Sequence, residues 1–198
     1  MDRTASRSLT ALAAVVATAA VCLAGPQAAS ASSACDSSLV APAGSLIGGL
    51  WRSNGGERSV FGCPTTKEFG YPDKKGSWQR FRNGKIVWSP NLGNGTLVRV
   101  FQKGGKVVFK WSGLGRDWDY FNVRWSKDGG RATQVEVGRL TPWSGQYRKA
   151  PYVQGGIGTT TNGHGFDTFA FVVQGCDRTT FGSDCGPWSI PTSISLSH

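Results

Sequence analysis

The sequence of 198 residues predicts a mostly β protein, in which a small module carrying a β-hairpin and a short helix precedes an antiparallel β-sandwich. Three observations lead there. Turn signals recur at short intervals: Asn54-Gly55-Gly56, Asn83-Gly84, Asn94-Gly95, Asp128-Gly129-Gly130, Gly155-Gly156 and Asn162-Gly163. Between most of them lie short runs rich in Val, Phe and Trp, residues that suit a pleated, half-buried surface. Within several of those runs apolar and polar residues alternate, the period of two that a strand with one buried face requires.

The first segment reads as a secretion signal rather than as part of the fold. Arg3 and Arg7 give a positive start, and Leu9 to Ala24 is apolar or small without a charge. That stretch is too short and too Ala-rich for a comfortable membrane span. Gly25-Pro26 breaks it, and Ala29-Ser30-Ala31 supplies a small-x-small cleavage site, so residues 1–31 are expected to leave; cleavage after Ala34 is the alternative. Neither Cys22 nor Cys35 has the neighbours of a lipoprotein signal. The expected location is therefore secreted, extracellular or cell-wall associated, with no membrane span.

Loss of Asp2, Arg3 and Arg7 lowers the net charge only from +10 to +9. A basic exported protein is drawn to envelope polyanions such as teichoic acids, lipid headgroups and acidic polysaccharides. The Lys and Arg residues are, however, spread from Arg52 to Arg178 with no run longer than Lys74-Lys75. This reads as general solubility rather than a dedicated polyanion site. No groove-reading motif suggests nucleic acid. Cys22 leaves with the signal, and Cys35, Cys63, Cys176 and Cys185 remain, an even set for an oxidising compartment. Of the three possible connectivities, the large gap favours Cys35–Cys63 and Cys176–Cys185. No C-x-x-C spacing exists and His164 and His198 are the only histidines, so neither metal nor cofactor is expected.

In chain order, Leu46, Ile47, Leu50 and Trp51 fall at helical spacing and predict a short helix near Ser45 to Asn54. Trp78 to Arg82, Asn83-Gly84, then Lys85 to Trp88 predict a hairpin with Asn-Gly in a type I′ turn. That register sets Phe81 against Ile86 and Gln79 against Trp88, and places Gln79, Phe81, Ile86 and Trp88 on one face with Arg80, Arg82, Lys85 and Val87 on the other. Pro90, Gly93 and Gly95 interrupt regular structure, dividing 32–95 from 96–198. Beyond them, Val107, Phe109 and Trp111 alternate with Lys106, Val108 and Lys110, and Phe121, Val123 and Trp125 with Tyr120, Asn122 and Arg124. Val135 and Val137 suggest a third strand and Phe169, Phe171 and Val173 a fourth, the size and spacing of a sandwich.

Residues 44–92 resemble an LGFP repeat through Gly44-Ser45-Leu46-Ile47, Trp51, Gly55-Gly56, Ser59-Val60-Phe61-Gly62-Cys63-Pro64, Glu68, Trp78 to Phe81 and Lys85 to Pro90. Phe-Gly-Cys-Pro stands where that family has Leu-Gly-Phe-Pro. The resemblance implies a module of secreted and wall-associated actinobacterial proteins, there usually in tandem arrays thought to hold proteins to the envelope. Residues 96–196 resemble a fibronectin type III domain through Val107 to Trp111, Tyr120 to Trp125, Phe169 to Cys176 and Gly186-Pro187-Trp188-Ser189. This implies a fold and little about function.

Catalytic motifs are scarce. There is no G-x-S-x-G, H-E-x-x-H or P-loop. A Ser-His-Asp site would have to use His164 and Asp167 with Ser144 or Ser112, a glycosidase pair Glu68 with Asp73, and a cation site Asp117 with Asp119; solvated loops and structural acids explain each more simply. The eight tryptophans carry more. Trp111 and Trp125 have core patterns and Trp88 is expected to follow them, whereas Trp78, Trp118 and Trp143 flank turns and are the candidates for exposure and for stacking on sugars. The candidate ligand-binding set is Trp51, Arg52, Trp78, Arg80, Arg82, Trp118 and Trp143. The expected function is non-catalytic association with cell-wall polysaccharide or another envelope polyanion. A secreted adaptor or inhibitor of another protein is the alternative, and a small hydrolase the third.

Overall fold

A computed structural model of the protein describes residues 35–73, 75–149 and 166–197. The expected signal and His164 lie outside them. The helix forms as expected: α1 (Leu46–Ser53) starts at Ser45, whose Oγ accepts from the Gly48 N–H at 3.0 Å, a side-chain cap for one of the helix's orphan donors. The same hydroxyl donates to Glu68, and Ser77 Oγ donates to the other Glu68 oxygen. Glu68 therefore ties the helix start to the hairpin.

The chain then builds two antiparallel sheets. The first is six-stranded, in the order β1 (Phe69–Gly70), β2 (Ser77–Phe81), β3 (Gly84–Trp88), β4 (Leu97–Lys103), β5 (Lys106–Ser112), β8 (Gly145–Lys149). The second places β9 (Phe166–Thr179) between β6 (Tyr120–Lys127) and two short strands, with β7 (Thr133–Val137) beyond β6. Those short strands, β10 (Gly182–Cys185) and β11 (Thr192–Ser197), follow one another along the same edge of β9. The four strands legible from alternation are β5, β6, β7 and β9. Residues 91–95, where the sequence suggested a break, lie in the connection between β3 and β4, which are neighbours in one sheet. The described residues from Cys35 onward fall into one compact unit.

Two buried clusters lie on opposite faces of the first sheet. On one face Val87, Val98, Val100, Val107, Phe109 and Trp111 meet Phe121, Val123, Phe169, Phe171 and Val173 of the second sheet. Phe109 stacks on Phe171 at 5.2 Å and Trp111 meets Phe121 edge-on at 5.2 Å, linking the sheets directly. On the other face Phe81, Ile86, Leu97, Phe101 and Val108 are covered by Ile47 and Trp51 of α1 and by Phe61. Phe61 contacts Phe101 at 5.3 Å and Phe81 at 5.6 Å, ring pairs worth about 0.5–1.5 kcal/mol each beyond their burial.

Both disulfides pair as the spacing argued. Cys35–Cys63 ties the start of the described chain to the turn that carries Phe61, and Cys176–Cys185 crosses the β9–β10 ladder. With sequence separations of 28 and 9, loop entropy is worth about 3.5 kcal/mol for the first and about 2.5 kcal/mol for the second, so the first restricts the unfolded chain more.

The hairpin register differs from the expected one. Phe81 pairs with Gly84 and Gln79 with Ile86, so the turn residues are Arg82 and Asn83, and Gly84 belongs to β3. The reason is steric. A Cβ on Gly84 would sit 2.3 Å from the Val100 carbonyl oxygen and 2.9 Å from Phe101 Cβ, so this glycine admits β4 instead of making the turn. The partner shift is two residues, which leaves the faces unchanged. Trp118 is a second correction: expected at the surface, it is only 7% exposed. Its ring lies over Gly175 and Gly186, whose absent side chains make the space. Trp88 is half-buried, its indole N–H donating to the Asn94 carbonyl at 2.7 Å.

Gly84→Ala is expected to cost about 2 kcal/mol in denaturant unfolding, because backbone must move to admit the methyl group. Gly95→Ala, where nothing lies within 4 Å, is expected to stay within about 0.5 kcal/mol of the parent.

Candidate functional site

Beyond the edge of the sandwich, β1 and β2 carry an aromatic strip. Phe69 pairs directly with Trp78 across the ladder and their rings are 5.1 Å apart; Tyr71, two residues along from Phe69, brings its ring to 6.5 Å from that of Trp78. Phe69 is 48% exposed and Trp78 and Tyr71 are half-buried, so the strip is anchored on the core and open to solvent. Two cations from the same sheet face complete it. Arg80 lies 5.8 Å from the Trp78 ring centroid, and the Lys85 ammonium is 4.7 Å from that centroid and 6.0 Å from that of Tyr71.

Arg80 and Lys85 are directly opposite in the β2–β3 ladder, a like-charge pair that costs stability. Ring faces offset part of that cost. Among the described residues neither has a carboxylate within 4.0 Å. Burial, reinforced by the Arg80 charge, pulls the Lys85 pKa down to about 8. Burial pushes the Tyr71 phenol up, with Arg80 opposing. The arrangement offers flat apolar faces beside two cations that have no carboxylate partner among the described residues, which suits a ring compound bearing negative charge.

The remaining candidate residues do other work or stand elsewhere. Trp51 is buried, its indole N–H donating to the Gly62 carbonyl at 2.8 Å. Arg52 donates to the carbonyls of Ala41, Pro42 and Ala43 and so clamps the segment before α1. Arg82 is exposed in the hairpin turn. Trp118 donates from its indole to the Leu114 carbonyl at 3.2 Å and lies under Arg116, 3.9 Å from the ring centroid. Trp143 is 49% exposed in the turn before β8. Of the expected set the fold thus brings together Trp78 and Arg80, and adds Phe69, Tyr71 and Lys85. The sequence signal for Phe69 and Tyr71 was their alternation ahead of the hairpin, too short to read as a strand.

Three of the acids considered for chemistry have structural partners. Glu68 holds two serines, Asp167 is ion-paired with Lys127 at 2.8 Å, and Asp119 accepts from the Arg178 N–H at 2.8 Å. Ser144 is bonded to Thr141 and Ser112 accepts from Arg99.

An LGFP repeat is found at residues 61–118. No curated protein and no solved structure matches the chain. The repeat starts and ends later than the 44–92 resemblance: it leaves α1 outside and takes in β4 and β5, the strands that continue the hairpin's sheet. All five strip residues lie within it, whereas Trp51, Arg52 and Trp143 do not.

Lys85 is expected to titrate near pH 8 by NMR. Its depressed pKa means that the unfolded chain holds the extra proton between about pH 8 and the ordinary value of 10.5, so stability rises with pH through that window. Lys85→Met is expected to remove that rise, and Arg80→Gln to move the midpoint upward; an unchanged midpoint would contradict the pairing.

Proposed function

We propose that this is an exported, non-catalytic binding protein that associates with the bacterial cell envelope by holding an acidic polysaccharide on the strip formed by Phe69, Tyr71 and Trp78, flanked by Arg80 and Lys85. The observation that carries the reading is the pairing of open ring faces with two cations that have no counter-ion among the described residues. Sugar rings stack on such faces through C–H and π contacts, and a carboxylate or phosphate substituent meets the cations. The LGFP repeat at residues 61–118 supports the envelope as the setting. Export is supported by the residues of the leader and by two disulfides, which persist in oxidising compartments. No described helix is long and apolar enough to cross a membrane.

The described strands from β4 onward place β4, β5 and β8 against β6, β7, β9 and β11, and we read this sandwich as fibronectin type III-like. A protein adaptor is the second reading. It is favoured by apolar side chains left open on the sandwich connections: Leu140 at 67% and Trp143 at 49% before β8, and Phe181 fully exposed at the β9–β10 turn.

The mature protein is expected to co-sediment with isolated cell walls at low salt and to be released as salt rises. Trp78→Ala, with an unchanged near-ultraviolet spectrum, is expected to weaken that binding about tenfold, the loss of roughly 1.4 kcal/mol. Parent protein left in the supernatant would end this reading, and recovery of one stoichiometric protein from culture fluid would favour the adaptor.

A further inference from the structure

On the opposite face of the first sheet, a cavity of about 220 Å³ opens between the end of α1 and strands β4, β5 and β8. Among the described residues its lining includes Arg99, Lys103, Lys110 and Arg148, and no carboxylate. Arg99 and Lys103 share a face of β4, Lys110 sits directly opposite Arg99 on β5, and Arg148 comes from β8, opposite Val108. Phe61, Phe101 and Val108, all buried, supply apolar lining beside the cations.

The cluster is a cost that no described acid offsets. Like charges directly opposite in a ladder are destabilising. Other cations of the chain do meet acids: Arg116 pairs with Asp177, Lys127 with Asp167 and Arg178 with Glu136. Among the described residues the four pocket cations have no acid within 4.0 Å, and Arg99 is bonded instead to the neutral Ser112 hydroxyl at 3.0 Å. Burial pulls the Arg99 pKa down to about 10, and Lys110 is lowered by burial first and then by Arg99, Arg148 and Lys103. An incoming anion would relieve that field. A single carboxylate carries one charge for four cations, whereas phosphate offers more charge and the acceptor oxygens that guanidinium forks bind in pairs. The volume exceeds that of one water, about 30 Å³, by enough to admit a phosphoryl group with a small substituent.

We infer that this cavity is a binding site for a phosphate group, free or esterified to a small organic substituent, separate from the aromatic strip. The two sites use opposite faces of one sheet and different residues, so each can fail without the other. Soluble phosphate esters and lipid headgroups share this chemistry, and the choice of probe distinguishes them.

The test is thermal unfolding and calorimetric titration of the mature protein with inorganic phosphate and with glycerol 3-phosphate, alongside sedimentation with phosphatidylglycerol vesicles. At a hundredfold excess over Kd, the soluble ligands are expected to raise Tm by about 5 °C or more. Lys110→Gln is expected to leave the free protein at least as stable as the parent and to weaken phosphate binding at least tenfold. Should that variant not fold, Arg148→Gln, exposed at the sheet edge, carries the same expectation for binding. Arg131→Gln, the same charge change away from the cavity, and Trp78→Ala are expected to bind phosphate as the parent does. Vesicle capture lost in Lys110→Gln, without a response to soluble esters, assigns the phosphate to a lipid headgroup. The inference is overturned if neither soluble phosphate nor vesicles bind, or if Arg131→Gln weakens binding as much as Lys110→Gln.

Discussion

The strands β3, β4 and β5 are buried on both faces, and the rest of the architecture depends on that. Ile86 and Val87, Leu97 and Val98, Phe101 and Val100, and Val108 and Phe109 point alternately to the two clusters, and each is less than a tenth exposed. One side of these strands completes the sandwich and the other seats α1 and Phe61. The repeat at residues 61–118 therefore shares its central strands with the sandwich and adds a second cluster on their other face. Gly84 belongs to the same constraint, because β4 approaches β3 closely enough that even a methyl group would collide.

Double-sided burial also determines where ligands could act. A sheet covered in its middle has free surface only where its strands outrun their cover. At one end β1 and β2 extend past the second sheet, exposing the strip on the sandwich face. On the other face the small cover provided by α1 stops short of β8, leaving the cationic cavity. Both places combine like-charge cross-strand pairs, Arg80 with Lys85 and Arg99 with Lys110, with aromatic or apolar lining. A fold built for stability alone would separate these charges, and their presence on both faces is the observation from which we propose anionic ligands.

The same burial explains which parts of the fold were legible in the sequence. Strands β5, β6, β7 and β9 have alternating stretches and were read from them; the helix was read from the spacing of its apolar residues. Strand β4 was not read, because Leu97-Val98 and Val100-Phe101 are apolar on both faces and the period of two disappears. The hairpin was read with its strands correct and its turn misplaced, since Asn83-Gly84 carries a turn signature while Gly84 is required for packing. Trp118 looked exposed because the glycines that make room for it, Gly175 and Gly186, are remote in sequence. The cationic cavity was invisible for a related reason: residues 99, 103, 110 and 148 form no run, and only strand pairing gathers them. Charge that looked evenly spread is concentrated by the fold.

The most direct test of this account is native-state hydrogen exchange at increasing denaturant, comparing the amides of β2 and β3 with those of β6 and β9. If the doubly buried strands join repeat and sandwich into one cooperative unit, the slowest amides of both groups exchange with the same free energy, equal to that of global unfolding. Exchange of β2 and β3 through a separate opening of lower free energy, with β4 to β9 still protected, would contradict it.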